Sequence, residues 1–367
     1  MAFDEARLEE LLRLLVERRG SDLHIKVGSA PHIRIDGHLQ STPFDPPTPA
    51  DTERVAYAIL PAARADEFEA KNEADFALDR VGLGRFRCNV YRQRGSVALV
   101  FRAVTPGIPS FDSLGLPPVV QRLAEERRGL VLVTGPTGSG KTTTIAAMID
   151  HINVTRAVNI VTIEDPIEVL HPDKKAIISQ REIGSDTEGF AEAMRRVLRQ
   201  DPDVIFVGEM RDPETVWAAL AAAETGHLVL STLHTADAIE TINRIVDFFP
   251  AHQHKQVRLS LATSLRGIVS QRLLERVDGA GRVPAVEVLV NTGRVFDRIV
   301  DPDATGDSLE EIVATGDYYG MQNFDQALLR LYRDGVVSLR DAMATASSPS
   351  DLRVALQQAG LAVTASS

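Results

Sequence analysis

The sequence predicts an α/β chain: a phosphate-loop domain on a mostly parallel sheet, preceded by a smaller α+β module. Three observations carry this. Apolar runs at residues 130–133, 160–163, 204–207 and 228–230 alternate with helical patterns, as expected of parallel strands covered on both faces. Directly after the first run, Gly135, Pro136, Thr137, Gly138, Ser139, Gly140, Lys141 and Thr142 fit the pattern G-x-x-x-x-G-K-[ST]. Ahead of these runs, short alternating segments read as antiparallel strands and are set off by a stretch rich in proline and glycine.

Taken in chain order, Leu8, Leu11, Leu12 and Leu15 form a helical stripe. Leu23, Ile25 and Val27 then alternate with polar neighbours, as do Ile33 and Ile35, and Asp36-Gly37 signals a tight turn. Residues 86–91 and 97–101 read as further strands. Between Thr105 and Val120 lie Pro106, Pro109, Pro117 and Pro118 with Gly107 and Gly115, the composition of a linker or hinge. After the octapeptide, Ile145, Met148, Ile149 and Ile152 recur at i, i+3, i+4 and i+7, so strand, loop and helix follow in order. Phe190, Met194, Val197 and Leu198 mark a second covering helix, which Asp201-Pro202 stops. Gly226 ends the helix through Trp217 and Leu220. The C-terminal part reads as short helices; Ser348, Pro349 and Asp351 start the last of them and Gly360 ends it.

The octapeptide dictates nucleoside triphosphate binding for reasons of geometry. Glycines let backbone N–H groups turn toward phosphates, and the helix opening near Lys141 adds its positive dipole end. Lys141 is expected to reach the β- and γ-phosphates, and the Thr142 hydroxyl the Mg²⁺ that accompanies them. Hydrolysis needs carboxylates as well, and two acidic clusters follow strand-like runs. In residues 163–168, Glu164 and Asp165 fall at a strand's carboxyl end, where open α/β sheets bind ligands; in residues 203–209, an apolar strand ends in Gly208-Glu209, like a Walker B element. His227 and His234 flank the strand at 228–232, placing one of them as a candidate hydrogen-bond donor to the γ-phosphate. Neither this pair nor His252 with His254 has the spacing of zinc ligands, so no zinc is expected.

Composition narrows the class further. At 367 residues the chain is long for one core, so two domains are expected. Its one cysteine, Cys88, supports neither a disulfide framework nor a four-cysteine zinc module. An acidic start at Asp4, Glu5, Glu9 and Glu10, and the lack of any apolar run near 18 residues, point to a soluble, cytoplasmic chain. A formal net charge of -11 argues against general nucleic-acid binding, leaving only a local basic channel open.

These residues together resemble the PilT family of type IV pilus retraction motors, within the wider GspE/PilT-like secretion-ATPase superfamily. The resemblance spans nearly the whole chain: SDLHIKVGSAPHIRIDG (21–37), RFRCNVY (85–91), GPTGSGKTTT (135–144), TIEDPIE (162–168), SQRE (179–182), DPDVIFVGEMRD (201–212) and AAETGHLVLSTLHT (222–235). It implies a PAS-like N-terminal domain (1–104), a linker (105–120), a RecA-like ATPase core (121–290) and a C-terminal helical part (291–367). It implies a homohexamer hydrolysing ATP with Mg²⁺, working at the cytoplasmic face of the inner membrane on a pilus platform protein, alongside other pilus ATPases.

By position, Glu164 corresponds to the family's catalytic glutamate and Glu209 to the Walker B acid near Mg²⁺, with the general base open between them; His227 and His234 are the histidine-box residues. Thr143 joins the phosphate-loop set, and Arg92, Arg94 and Arg102 are candidate charge-neutralising arginines. Two features bear on the direction of pilus movement. The family's AIRNLIRE stretch is replaced here by GRVFDRIV (293–300), while the tail GMQNFDQALLRLY (320–332) keeps the resemblance to PilT and its accessory paralogue PilU. Assembly and type II secretion ATPases usually bear a four-cysteine zinc module that Cys88 cannot supply. Retraction is therefore the leading expectation, against an accessory PilU-like role, an assembly ATPase, or a nucleic-acid translocase.

Overall fold

A computed structural model describes residues 3–35, 37–104 and 107–361, except the side chain of Ala63. Asp36 of the expected tight turn and Thr105 and Pro106 of the expected linker lie outside the described residues. The chain divides into two compact units, residues 1–107 with 168–170, and residues 108–167 with 171–367.

The first unit holds helix α1 (Glu5–Glu17), strands β1 (Asp22–Lys26), β2 (Ser29–Ile35) and β3 (His38–Ser41), helices α2 (Pro49–Ile59) and α3 (Ala62–Lys71), and strands β4 (Glu73–Arg80), β5 (Gly84–Gln93) and β6 (Ser96–Ala103). Its six strands run in the order β3-β2-β1-β6-β5-β4, each antiparallel to its neighbours. The leucine stripe of α1 is fully buried and packs with Leu23, Ile25, Ile33 and Phe101 from one face of the sheet. Alternation is the cause, since every second residue of β1 and β2 turns to that face. Val27 leaves the pattern: β1 ends at Lys26 and Val27 sits in the turn to β2.

The second unit contains α4 (Phe111–Leu114), α5 (Pro118–Ala124), β7 (Gly129–Thr134), α6 (Lys141–Thr155), β8 (Asn159–Glu164), β9 (Ile177–Glu182), α7 (Phe190–Val197), β10 (Val204–Val207), α8 (Pro213–Glu224), β11 (Leu228–Leu233), α9 (Ala238–Asp247), α10 (His254–Ser264), β12 (Leu265–Glu275) and β13 (Arg282–Val290). Five short helices complete it: α11 (Gly293–Val300), α12 (Leu309–Ala314), α13 (Phe324–Arg333), α14 (Leu339–Thr345) and α15 (Pro349–Gln358). The proline-rich stretch is therefore less of a linker than its composition suggests. Residues 108–120 of this stretch belong to the second unit, and Val119 and Val120 on α5 are buried in its core.

Seven strands run in the order β13-β12-β7-β11-β10-β8-β9, all parallel except β13. Four of them answer to the apolar runs in the sequence. Along β7, Leu130 and Leu132 face the cluster covered by α7 to α10, while Val131 and Val133 face the cluster covered by α5 and α6. Burial on both faces makes a continuous apolar run the pattern to expect. On α6, Ile145, Met148, Ile149 and Ile152 are all buried, each contributing roughly 1.5–3 kcal/mol of hydrophobic transfer. The GRVFDRIV stretch forms α11, which lays Val295 and Ile299 onto the core while Arg294 pairs with Asp307. Helices α13 to α15 pack with Leu274, Val283 and Ala285 from the far ends of β12 and β13.

Candidate functional site

The parallel register brings the chemistry-bearing residues to one edge of the sheet. Thr134 pairs with Leu233, Ser231 with Val207, and Val207 with Ile163, so β7, β11, β10 and β8 end side by side. The phosphate-binding octapeptide leaves β7, His234 follows β11, Glu209 follows β10 after Gly208, and Glu164 ends β8. With about 4.8 Å between strands, Glu209 and Glu164 start roughly 10 and 14 Å from the β7 line, within reach of a triphosphate and its attacking water.

The loop is shaped by two tight approaches. Gly135 has φ +139, and a Cβ there would lie 2.4 Å from the Gln271 carbonyl and 2.6 Å from Ser139 Oγ, so only glycine fits. Lys141 is buried at the first position of α6, and its ammonium donates to the carbonyls of Gly135 (2.7 Å) and Pro136 (3.1 Å). The Ser139 hydroxyl is buried with no hydrogen-bond partner among the described residues, a donor inside the loop that a phosphate oxygen would satisfy. Pro136, Thr137 and Gly138 are exposed, as are Thr142 and Thr143, while Gly140 caps α6. A buried cation, a helix N-terminus and an unsatisfied hydroxyl fit a polyphosphate.

Glu164 is largely buried, and its Oε1 accepts from the Thr162 hydroxyl (2.7 Å) and the Gln180 amide (3.0 Å). Glu209 is half-buried: its Oε2 lies 2.8 Å from Arg211 and 3.5 Å from His234. The hydrogen bond that Arg211 donates to Glu209 raises the guanidinium further above its usual range. Gly208 lets β10 close on β8, since a Cβ there would meet the Ile163 carbonyl at 3.2 Å. Arg211, Thr162 and Gln180 were not singled out by sequence as site residues, although all three lie inside the quoted motifs.

His227 does not join this edge. It precedes β11, its carbonyl accepts from Gly129 N at the start of β7, and its Nδ1 lies 2.9 Å from the Ala222 carbonyl. A strand of six residues separates it from His234, placing it about 20 Å away at the opposite end of the sheet. Of the two histidines, one of which is expected to donate to the γ-phosphate, His234 is the one that stands beside a carboxylate at this edge among the described residues.

The three arginines belong to the first unit, where two are engaged by their own acids. Arg102 on β6 donates to buried Asp22 at 2.8 Å. Arg92 on β5 approaches Glu53 and Glu69 at 3.7 and 3.9 Å and lies over the Phe68 ring. Arg94 is exposed at the β5–β6 turn with φ +50. Arg92 and Arg94 thus lie at one end of this hairpin, and Arg102 near the other, paired with Arg87.

Behind the site, Glu287 on β13 is buried, and its Oε1 accepts from the Ala238 amide, tying the start of α9 and the loop after His234 to the sheet. Burial, with Asp237 and Asp325 nearby, pushes its carboxyl up to about 7, against the opposing Ala238 hydrogen bond and Arg272. Between the ordinary carboxylate range and pH 7 the folded chain holds a proton that the unfolded chain has released. Stability therefore falls as pH rises through that window and levels off above it. Glu287→Gln should remove this dependence. Relative to wild type the variant should gain up to roughly 3 kcal/mol between pH 5 and pH 8. Denaturant unfolding read by Trp217, the chain's one tryptophan, measures it, and parallel curves for the two proteins would refute the assignment.

Among known proteins, residues 7–316 match the family model described as "Type II/IV secretion system protein". The chain is 42% identical to the type IV pilus retraction ATPase PilT of Pseudomonas aeruginosa, over 93% of this chain and 98% of that one. It is 41% identical to the type IV pilus ATPase PilU of the same organism, over 95% and 91%. Among solved structures, that of the pilus retraction motor PilT with bound ADP superposes with a TM-score of 0.85 at 47% identity, covering 93% of this chain and 97% of that one.

Proposed function

The chain belongs to the Type II/IV secretion system protein family, and from that premise we propose that it is a hexameric motor that retracts type IV pili. It is an ATPase with the RecA-like secretion-ATPase fold. The observation that carries the motor reading is the shared sheet edge, where the phosphate loop, His234, Glu209 and Glu164 line up on four adjacent parallel strands. The relatives, a retraction ATPase and a pilus ATPase matched over nearly their whole length, support the load.

In this reading the octapeptide with Thr143 binds the triphosphate, Lys141 neutralises its β- and γ-oxygens, and Glu164 accepts the proton of the attacking water. Thr142 and Glu209, directly or through water, would hold Mg²⁺, whose chemistry is to neutralise and align the phosphate oxygens. Hydroxyl and carboxylate oxygens suit such a hard cation. Among the described residues no group of three or more His, Cys, Asp or Glu side chains is gathered for a metal, so most ligands would come from phosphate and water. His234, 3.5 Å from Glu209, would donate to the γ-phosphate. Arg94, exposed at its turn, is the freest of the three arginines to act on a neighbouring subunit's nucleotide, since Arg92 and Arg102 are held by acids. ATP-driven movement of the two units would pass to a platform protein at the inner face of the cytoplasmic membrane. Among the described residues no helix is long and apolar enough to cross a membrane.

Deletion in the host tests the load. Excess surface pili without twitching is the expected result, whereas bald cells would mean assembly. A PilU-like accessory role is the second reading, favoured by the 41% identity over 95% of the chain. It predicts that pilus retraction persists without this protein and weakens only under load.

A further inference from the structure

Glu164 is held by side chains as well as by its place at the end of β8. Thr162 and Glu164 are two residues apart on that strand, so both point to the same face. Gln180 on β9 pairs directly opposite Thr162. The register thus gathers a hydroxyl, an amide and a carboxylate on one face, and both donors converge on Oε1 of Glu164, at 2.7 Å and 3.0 Å. A glutamine offers an oxygen or a nitrogen to a neighbour depending on how its amide is turned. Here the choice is made from outside, because the backbone N–H of His171 donates to Gln180 Oε1 at 2.9 Å. The amide oxygen is committed to that N–H, and the NH₂ group therefore faces the carboxylate.

We infer that Gln180 is a positioning residue for ATP hydrolysis: locked by the His171 amide, it acts with Thr162 to fix the orientation of Glu164 and favour its ionised form. The inference rests on the proposed reading of Glu164 as the water-activating base. Two N–H or O–H donors on one carboxylate oxygen stabilise the anion over the acid. They also restrict rotation of the carboxylate, and proton transfer from water needs a fixed acceptor within hydrogen-bond reach. Thr162 is fully buried, so its contribution has no competing solvent.

Single-turnover hydrolysis by the full-length protein, assayed in brief exposures from about pH 3.5 to about pH 9, tests this, because it reads the chemical step without product release. Gln180→Glu keeps the length of the side chain and the acceptor for His171, but sets a carboxylate oxygen against Glu164. Two carboxylates in hydrogen-bond contact do not ionise together at their ordinary pH. The acid limb of the profile should move up by about one pH unit or more, and on the plateau above it hydrolysis should slow about tenfold because the carboxylate is no longer held in one orientation. ATP affinity should stay within about twofold, since Gln180 binds no phosphate in this reading. Thr162→Val removes the second donor at nearly unchanged volume and should move the limb the same way, giving an independent readout if the Gln180 variant does not fold. An acid limb that stays in place in whichever variant folds overturns the inference, whatever happens to the rate. Glu164→Gln separates the two levels. If it hydrolyses ATP like wild type, the base assignment falls and the inference with it; if it is inactive while Gln180→Glu keeps the wild-type acid limb, the assignment stands and the inference alone is lost.

Discussion

Glu164→Gln is expected to leave ATP bound and unhydrolysed, with kcat reduced at least about 10²-fold, the usual contribution of a positioned general base. The amide keeps the size of the side chain and an acceptor for the Thr162 hydroxyl, so the fold and the phosphate loop have no reason to change. It removes the group that takes a proton from water. Glu209 makes the contrast informative, because sequence leaves the base open between these two acids. Its Oε2 is already engaged by Arg211 at 2.8 Å, with His234 at 3.5 Å, and two cationic or hydrogen-bonding neighbours suit an anion that holds a metal's water shell. Glu209→Gln should therefore raise the Mg²⁺ concentration needed for half-maximal turnover by about tenfold or more, the scale of losing an outer-shell metal partner. Glu164→Gln should leave that concentration unchanged. Titrating Mg²⁺ against turnover in both variants measures it; a Mg²⁺ shift in Glu164→Gln with none in Glu209→Gln would exchange the two roles.

The phosphate loop, Glu164 and Glu209 were legible in the sequence because each depends on a few consecutive residues: a buried strand, a turn and a polar group at its carboxyl end. The β12–β13 hairpin was not. Ser270, Gln271 and Glu287 interrupt its apolar pattern, and each is buried against a partner distant in sequence: Thr134 for Ser270, Thr144 for the Gln271 NH₂ group and Ala238 for Glu287. Strand β9 escaped for another reason. As an edge strand it carries exposed Ile177 and polar Ser179, Gln180 and Arg181, which read as loop until β8 pairs with it. The proline-rich stretch looked like linker because Pro117 and Pro118 are as much at home opening a helix as breaking one, and α5 starts there. The separation of the two histidines was within reach of sequence reasoning: a residue before a strand and one after it must lie at opposite ends.

Lys141→Ala should cost the protein both nucleotide binding and turnover. A charge-assisted hydrogen bond is worth about 1.5–3 kcal/mol, which corresponds to roughly a 10- to 150-fold loss of ATP affinity. Turnover should fall at least about 10²-fold as well, because charge on the γ-phosphate is stabilised during transfer by the groups aimed at it. The position of the ammonium explains why charge alone is not enough. Lys141 is buried, and its single nitrogen reaches both the Gly135 and the Pro136 carbonyls across a loop that Gly135 lets fold tightly against Gln271. An arginine carries the same charge on a wider planar fork that does not fit the space taken by a compact ammonium. Lys141→Arg should therefore lose turnover almost as completely as Lys141→Ala while keeping more of the affinity, since long-range attraction to the triphosphate survives and the geometry does not. Equilibrium binding of ATP and steady-state hydrolysis, measured side by side, distinguish the two effects. Wild-type turnover in Lys141→Ala would remove the octapeptide from the active site altogether, and wild-type turnover in Lys141→Arg would show that the loop needs only a positive charge.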